Sequence, residues 1–414
     1  MLRKLWLFLI IALMLIPSAM ALAAEPAPPP ARQLTLEACL QSGFEYSQEL
    51  QIATKKVRVA EESVRQAKAA LGLTVGYNVS RTEADSPYTS GTISLDLPVF
   101  NRNKLSNALK VAELQLKSAR EDERQAKLEL TYNIKSTFYD LWLAEQKLAV
   151  AESSSENLGE HYRTVKKYCE VGKKAEYELL EAEVAWKEQK AEVTSARSDL
   201  EIAELALATL IGIERDRDFE IVDDSSILQI PEQFSAELRT LLAQAEKQRP
   251  ALRQAAWEIE IAKLNVAIAK ANNNPSLSLS GSQNDLNNDL QFTLGVNGTL
   301  WDNKATDSKV NAAEEKVEIA RLSEVKTRDQ MRQSVQKVYQ SIRVDLEKAQ
   351  AYKANIDLCQ EDLRLTEIRY SAGMSTIMDV RDRQLALDKA QNNYYQAVAS
   401  YITDGAKLDL ELGN

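Results

Sequence analysis

The chain has 414 residues, with 51 Lys and Arg against 61 Asp and Glu, and a formal net charge of −10. Loss of Arg3 and Lys4 with a signal peptide would take that charge from −10 to −12, and so acidic a chain argues against a nucleic-acid partner. The three cysteines, Cys39, Cys169 and Cys359, are scattered and lack CxxC spacing, so neither a disulfide framework nor a zinc site is expected.

Residues 1–23 have the form of a secretory signal peptide. Two basic residues precede an apolar run over residues 5–16, and small residues before position 24 predict cleavage after Ala23. We therefore expect an exported protein, with a retained N-terminal anchor as the alternative. The absence of a cysteine at the cleavage point argues against a lipoprotein. Residues 24–33 are proline-rich and predict an extended lead-in. No later segment is apolar over the length that a transmembrane helix needs.

The rest of the chain consists of two copies of one unit. At an offset of 202, the stretch LQIATKKVRVAEESVRQAK aligns with LRQAAWEIEIAKLNVAIAK, and at an offset of 201, Gly172 aligns with Gly373. A match in register over such a length indicates duplication of a whole structural unit. The predicted parts are a first repeat over residues 34–213, a connecting region over 214–249 and a second repeat over 250–414.

Each repeat is predicted to begin with an amphipathic helix, over residues 48–71 and 250–272, followed by a pair of strands. Apolar residues alternate there with Ser, Thr, Asn, Asp and Gly, as a barrel with lipid outside and water inside requires. A half-buried hairpin of a soluble protein has the same alternation, so the pattern leaves both interpretations open. The alternating apolar positions are Val75, Tyr77, Val79, Ile93, Leu95, Leu97, Val99, Leu277, Leu279, Phe292, Leu294, Val296 and Leu300.

A very long helix is predicted after each strand pair, because proline is absent there and Gly159 is the one glycine. At ~1.5 Å per residue each helix would extend about 100 Å, and the spacing of Leu and Ala by four and three is typical of a coiled coil. A glycine then predicts a turn into a returning helix, which gives an αα-hairpin. The long helices are predicted over residues 103–170 and 303–371, and the returning helices over residues 173–211 and 374–412.

The sequence contains no motif of an enzyme. Its one histidine, His161, lies in a charged helical stretch, and no phosphate-binding glycine loop, nucleophile elbow or HExxH motif is present. We therefore predict no catalytic activity, no cofactor and no metal site. An exported structural coiled-coil or adhesion protein without a pore is the main alternative. It would explain the long helices, but not the strand pairs at matching positions.

The duplicated order of helix, strand pair, long helix, glycine turn and returning helix resembles the TolC-like outer-membrane efflux and secretion channels. The residues that carry the resemblance are LTLEACLQSGFEYSQELQIA, the junctions LPVFNRNK and GTLWDNKA, and the turns YCEVGKKAEYELL and RYSAGMSTIMDVRD. The match covers residues 34–413. It is specific in the order, spacing and duplication of these stretches.

The resemblance implies an α+β fold assembled from three chains. Each chain would contribute four strands and four helical columns, so that a β-barrel in outer-membrane lipid is continued by a long α-helical coiled-coil barrel in the periplasm. It also implies a passive conduit for a tripartite efflux pump or type I secretion system. The partners would be a periplasmic adaptor protein and an inner-membrane pump. Drugs, metal ions and secreted polypeptides all remain open as cargo.

The resemblance further assigns an entrance at the helical tips. Asp379 and Asp382 match family acids that ring the periplasmic entrance, and the internal repeat places Glu178 and Glu181 at the equivalent positions of the first copy. Tyr370 matches a tyrosine of the closing latch, with Glu178 in the place of its acidic partner. Three chains would thus concentrate carboxylates at a narrow mouth and favour cations.

The tip turns carry one departure from the best-known member of the family. Where its latch has an arginine, this chain has Ser375, so that ion pair is expected to be missing. Lys173 and Lys174 are candidate replacements, with plain solvation as the alternative. The residues expected at the tip turns and in adaptor docking are Gly172, Gly373, Lys173, Lys174, Met374 and Ser375.

Overall fold

The computed structural model describes residues 32–83, 87–96, 101–213, 219–222, 228–273, 275–284, 290–299 and 301–414. The predicted signal peptide, residues 1–23, lies outside the described residues, as does the proline-rich segment up to residue 31. Leu97, Val99 and Leu300 of the predicted strands also lie outside them.

The same order of elements occurs in both halves of the chain. The first half contains β1 (Arg32–Leu34), α1 (Leu36–Tyr46), α2 (Gln48–Ala69), β2 (Thr74–Thr82), β3 (Tyr88–Asp96), α3 (Arg102–Glu170) and α4 (Glu176–Ile211). The second contains β4 (Phe219–Ile221), α5 (Leu238–Gln248), α6 (Pro250–Lys270), a 3₁₀ turn (Ala271–Asn273), β5 (Ser276–Asn284), β6 (Leu290–Asn297), α7 (Ala305–Ser371) and α8 (Ile377–Leu412). Among the described residues, no helix has a stretch long and apolar enough to cross a membrane.

The starts of four helices differ from the prediction, that of α3 by a single residue. α7 begins at Ala305 and not at residue 303, because Asn303 and Lys304 have φ values of 50° and 67°, outside the right-handed helical region. α4 and α8 each begin three residues later than predicted. The residue before each of them, Ala175 or Thr376, has an extended backbone that belongs to the tip turn.

The helices α1 and α5 extend the internal repeat. Both have 11 residues, and the offset of 202 that relates the two copies of the sequence also relates these two helices. The repeated order therefore starts at Leu238 in the second half, inside the predicted connecting region 214–249. The strands β1 and β4, which the sequence did not predict, pair in parallel through Leu34 and Ile221. Three residues are too few to show an alternating pattern.

The four longer strands form one antiparallel sheet in the order β2-β3-β5-β6. Tyr77 pairs with Ile93, Ile93 with Gly281, and Gly281 with Phe292. Because directly paired residues share a face of a sheet, Tyr77, Ile93 and Phe292 lie together, and they are 85%, 57% and 68% exposed. The sheet therefore presents an apolar face to its surroundings.

The long helices form two hairpins that lie side by side. α3 packs against α4, α7 packs against α8, and α3 also contacts α8. The largest cluster of buried side chains lies part-way along this column and includes Ile134 and Trp142 of α3, Leu207 of α4 and Val398 of α8. Full burial of each such side chain contributes about 1.5–3 kcal/mol. This cluster holds the two hairpins together at a distance from their tips.

The helical tips as the candidate functional site

Each hairpin turns at a glycine in the left-handed conformation. Gly172 has a φ of +72° and Gly373 a φ of +75°. The residue after each glycine donates its N–H to a carbonyl of the preceding helix, which is the bond that closes a Schellman turn. These bonds join Lys173 N to Tyr168 O and Met374 N to Arg369 O, at 2.8 Å each. The chain thus reverses at the two glycines that the sequence predicted.

Asp379 is the third residue of α8 and belongs to the capping box at its N-terminus, where Thr376 is the N-cap. Its Oδ2 accepts hydrogen bonds from Thr376 N at 2.8 Å, from the Thr376 hydroxyl at 2.7 Å and from the Ser375 hydroxyl at 2.8 Å. Asp379 N donates in return to Thr376 Oγ1 at 3.2 Å, which completes a capping box. The bond from the Thr376 backbone N–H is the largest of the effects that lower the pKa of Asp379 from 3.8 to about 2. The carboxylate is therefore firmly ionised.

This capping box changes the interpretation of Ser375. The hydroxyl that stands where the best-known latch has an arginine belongs to the local hydrogen bonding of Asp379. The box could have been recognised in the sequence, since Thr376 and Asp379 have the required spacing. The first tip differs, because α4 starts at Glu176 without a side-chain cap.

The two remaining predicted acids of the entrance lie further from the turns. Asp382 is exposed on α8, and Glu181 is half-buried on α4. Glu178 and Asp379, by contrast, each have a defined local partner at their own tip. Within one chain, the four predicted acids are therefore distributed over two helices.

At the first tip, Lys174 connects Glu178 to Tyr370. The Lys174 Nζ lies 2.5 Å from Glu178 Oε2 and 4.6 Å from the centroid of the Tyr370 ring, which belongs to the second hairpin. The hydrogen bond to Glu178 is the main cause that raises the pKa of Lys174. The side chains of Lys174 and Glu178 are 28% and 18% exposed. The structure thus brings Tyr370 and Glu178 together through a lysine.

His161 of α3 contacts the same tyrosine. The centroids of the His161 and Tyr370 rings are 5.2 Å apart, with an edge-on interplanar angle of 61°. The His161 Nε2 is buried, and it has no hydrogen-bond partner in the part of the chain that the structure describes. Burial, and next the charge of Lys174, lower the pKa of His161, while Glu178 acts in the opposite direction. No pattern in the sequence predicts this contact.

In the described part of the chain, two cavities lie between the hairpins, on the tip side of the apolar cluster. The first, of about 610 Å³, is lined by His161, Lys173, Lys174 and Tyr370 among others. The second, of about 450 Å³, lies between α3, α4 and α8 and has buried polar walls. Its buried polar side chains are Ser154, Gln189, Gln384 and Asp388. The space between the hairpins is therefore partly polar here, unlike the apolar cluster further along the column.

Asp388 is the buried carboxyl of the second cavity. Gln384 Nε2 donates to Asp388 Oδ1 at 2.7 Å, and burial raises the pKa of Asp388 above 3.8. On the rim of the cavity, the Arg381 side chain lies 2.5 Å from that of Glu188 and joins α8 to α4. Over the described ranges, no group of three or more His, Cys, Asp or Glu side chains is arranged to hold a metal ion.

The fold and its tips define a class of elongated proteins. Two α-helical hairpins run side by side, with an antiparallel sheet at the end opposite the tips. The family model for outer membrane efflux proteins matches residues 40–213 and 241–414. The chain belongs to the outer membrane efflux protein family, whose members are outer-membrane channels and not enzymes. The resemblance to TolC-like channels is thereby confirmed.

Named relatives have a similar length. Nodulation protein T of Rhizobium leguminosarum bv. trifolii is 23% identical over 410 residues, which cover 92% of this chain and 85% of that protein. Outer membrane protein TolC of Vibrio cholerae is 23% identical over 382 residues, which cover 86% of this chain and 85% of that protein. The crystal structure of the outer membrane protein VceC of Vibrio cholerae has a TM-score of 0.77 and 19% identity, and the match covers 92% of this chain and 96% of that one. This last similarity shows the shared fold.

Proposed function

We propose that the chain is the outer-membrane component of a tripartite efflux pump or a type I secretion system, and that it forms a passive conduit from the periplasm to the exterior. The observation that carries this proposal is the antiparallel sheet with an apolar face, placed at one end of two hairpins about 100 Å long. An apolar face of this kind suits lipid. The helices then stand in the periplasm.

Three chains complete the channel. Four strands are too few to enclose an aqueous lumen, whereas twelve are enough. The outer strands of the sheet, β2 and β6, supply the edges along which neighbouring chains pair. The tips face a periplasmic adaptor and an inner-membrane pump, directly or through the adaptor. Met374 is 75% exposed at the second tip and offers an apolar contact for the adaptor.

The assembly is tested by membrane fractionation combined with crosslinking. An outer-membrane trimer is the expected result. A monomer in the periplasmic fraction would contradict the proposal and would favour a structural coiled-coil protein without a pore. The same crosslinked sample, probed for an added adaptor, reports on the partner at the tips.

The tips form the gate of the conduit. Tyr370, Lys174 and Glu178 join the two hairpins of one chain and act as the latch. Asp379 and Asp382, together with Glu178 and Glu181, give the entrance its negative charge. Of these, Asp382 and Glu181 are free of the capping box and of the Lys174 ion pair. Their charge can therefore be removed without disturbing either contact.

We expect Asp382→Asn combined with Glu181→Gln to weaken cation preference in planar-bilayer recordings by about twofold to fivefold, because a ring of like charges raises the local cation concentration. Asp357→Asn is the matched control, since Asp357 is an exposed acid on α7 away from the tip. Equal ion selectivity in the double variant and the control would remove these two acids from the entrance.

A further inference from the structure

The single histidine of the chain lies where the two hairpins meet. His161 belongs to α3 of the first hairpin, and Tyr370 belongs to α7 of the second. The Tyr370 ring is contacted by His161, at 5.2 Å between ring centroids, and by the Lys174 ammonium, at 4.6 Å from the ring centroid. Any change in the charge of His161 therefore acts directly on the contact between the hairpins.

The groups around His161 do not provide a ready partner for an imidazolium. Glu178 already accepts the Lys174 ammonium at 2.5 Å, and Glu160 and Glu367 are exposed to solvent, which screens their charges. From α8 the neutral side chains of Val380 and Gln384 face the cavity. Among the described residues that line the cavity or act on the pKa of His161, the charged or titratable ones are Glu160 and Tyr168 of α3, Lys173 and Lys174 of the turn, Glu178 of α4, and Glu367 and Tyr370 of α7.

We propose that protonation of His161 opens the latch: an imidazolium beside the Lys174 ammonium, in a cavity whose lining acids, Glu160 and Glu367, are exposed to solvent, releases Tyr370 and lets the hairpins separate. The inference rests on the proposed gate at the tips. The imidazole Nε2, which is buried and unpartnered in the closed arrangement, gains water when the hairpins part. Acidification is thus the signal, and hairpin separation is the response.

The pKa of His161 in the closed and in the separated arrangement decides which arrangement acid favours and over which pH range. A hydrated histidine titrates near 6.5, and the pKa of His161 in the closed arrangement is lower than that value. The separated form therefore binds the proton more tightly, and it gains up to about tenfold in relative population per chain for each pH unit below 6.5. The gain stops when the pH falls below the lowered pKa. Above pH 7.5 the imidazole is neutral in both forms.

Planar-bilayer recordings of the purified full-length channel test the inference. Between pH 7.5 and 5.5, the open probability of the unmodified channel should rise about threefold to tenfold, and His161→Gln should abolish that rise. His161→Lys should raise the open probability already at pH 7.5. Ser153→Lys is the matched control, since it places a lysine at an exposed position of the same helix outside the cavities. In a channel that conducts, a flat response of the unmodified chain to pH, or an unchanged response in His161→Gln, would overturn the inference.

A second measurement separates the switch from the channel itself. Spin labels at Lys173→Cys and Met374→Cys, in a chain whose three native cysteines are replaced by serine, report the distance between the tips. We expect this distance to increase between pH 7.5 and 5.5, and not to change when His161→Gln is added. A chain that never conducts but shows this pH-dependent distance would contradict the proposed channel and support the switch. A constant distance would refute the switch, whatever the conductance.

Discussion

The residue with the clearest role at the tips is Lys174, because it is the link between Glu178 and Tyr370. An ammonium over an aromatic ring contributes about 0.5–1 kcal/mol at a site open to water. Its ion pair with a carboxylate adds a similar amount, since both side chains retain some exposure. The second tip contributes only the ring of Tyr370 to this cluster. The proposed latch is thus assembled from unlike residues of the two repeats.

Lys174→Met should weaken the latch, because methionine keeps a long apolar side chain over the Tyr370 ring but leaves Glu178 without its cation. We expect a rise of about fivefold in open probability at pH 7.5, equivalent to ~1 kcal/mol. Lys173→Met provides the matched control, as it removes an exposed charge from the same turn. A double-mutant cycle of Lys174→Met with Glu178→Gln should show coupling, and strict additivity would rule out the ion pair as part of the latch.

The buried carboxyl of Asp388 makes the stability of the fold depend on pH. Because its pKa is raised in the fold, the native state holds its proton more tightly than the unfolded state, and stability is lost as the pH rises above 3.8 through the raised pKa. Asp388→Asn removes that buried charge and keeps an oxygen for Gln384. The variant should be about 1 kcal/mol more stable at pH 7.

The Asp388→Asn advantage should shrink as the pH falls from 7 to 4, because the raised pKa means that the native carboxyl takes up its proton at a higher pH than the unfolded one. Thermal unfolding at both pH values measures it, with the exposed Asp382→Asn as the control. An equal gain at both pH values would show that the charge of Asp388 is not the cause.

Single residues were predictable to different degrees. The tip glycines followed from the family pattern, which also predicted Glu178 as the acidic partner of Tyr370, and the capping box was recognisable in the local sequence. His161 was not predictable, because its contact with Tyr370 depends on how two distant hairpins pack. The same holds for the partner of Lys174. Local sequence specifies caps and turns, whereas contacts between hairpins require the assembled fold.

At the scale of elements, each of the four long helices ends at a left-handed glycine. These are Gly172, Gly212, Gly373 and Gly413, with φ values of 72°, 71°, 75° and 78°. The last of them is also crowded, since a Cβ there would lie 2.9 Å from Gln248 O. The Arg124 guanidinium donates to both Gln248 O and Gly413 O, at 2.8 and 2.6 Å. The ends of α5 and α8 are therefore held at one point.

Gly413→Ala should lower stability by about 1–2 kcal/mol or more, because it combines an unfavourable φ with a close contact to the Gln248 carbonyl. Gly405→Ala is the matched control, because it makes the same substitution at a glycine of α8 that is not crowded. That glycine lies within α8 and has no atom within 4 Å of an added Cβ, so the substitution should stabilise by about 0.5–1 kcal/mol. Melting temperatures that shift in the same direction for both variants would contradict this account.

The long helices were predicted well because the absence of proline is a strong and simple signal. Their starts were predicted less well: the positive φ of Asn303 and Lys304 has no unambiguous mark in the sequence. The counterpart of α1 in the second half was assigned to a connector, because only its register with the first copy reveals α5 as part of the repeat. The sequence pattern therefore identified the helices, but the residues at which they begin were visible only in the folded structure.

Over the whole molecule, the exposed surface differs in polarity between the sheet and the rest of the chain. The sheet carries Tyr77, Ile93 and Phe292 on an exposed face, while the rest of the chain is strongly charged. The sequence predicted this alternation but did not distinguish a lipid-facing sheet from a half-buried soluble one. Family membership favours the first interpretation.

Leu294→Arg tests that interpretation, because Leu294 shares the face of Phe292 on β6. If this face meets lipid, an arginine there costs about 2–4 kcal/mol near the middle of the bilayer, and recovery of the protein in the outer-membrane fraction should drop severalfold. Thr293→Arg, on the opposite face of the same strand, should have little effect. Similar recovery of the two variants would contradict a lipid-facing sheet.

The left-handed glycines also constrain how such a protein can change in length. The returning helices α4 and α8 have 36 residues each, or about 54 Å, so both tips lie at the same level above their glycine-bounded ends. An insertion in one hairpin alone would lift its tip away from the other and separate Lys174 from Tyr370. Lengthening or shortening of the column is therefore tolerated only when both copies change together, by whole helical turns.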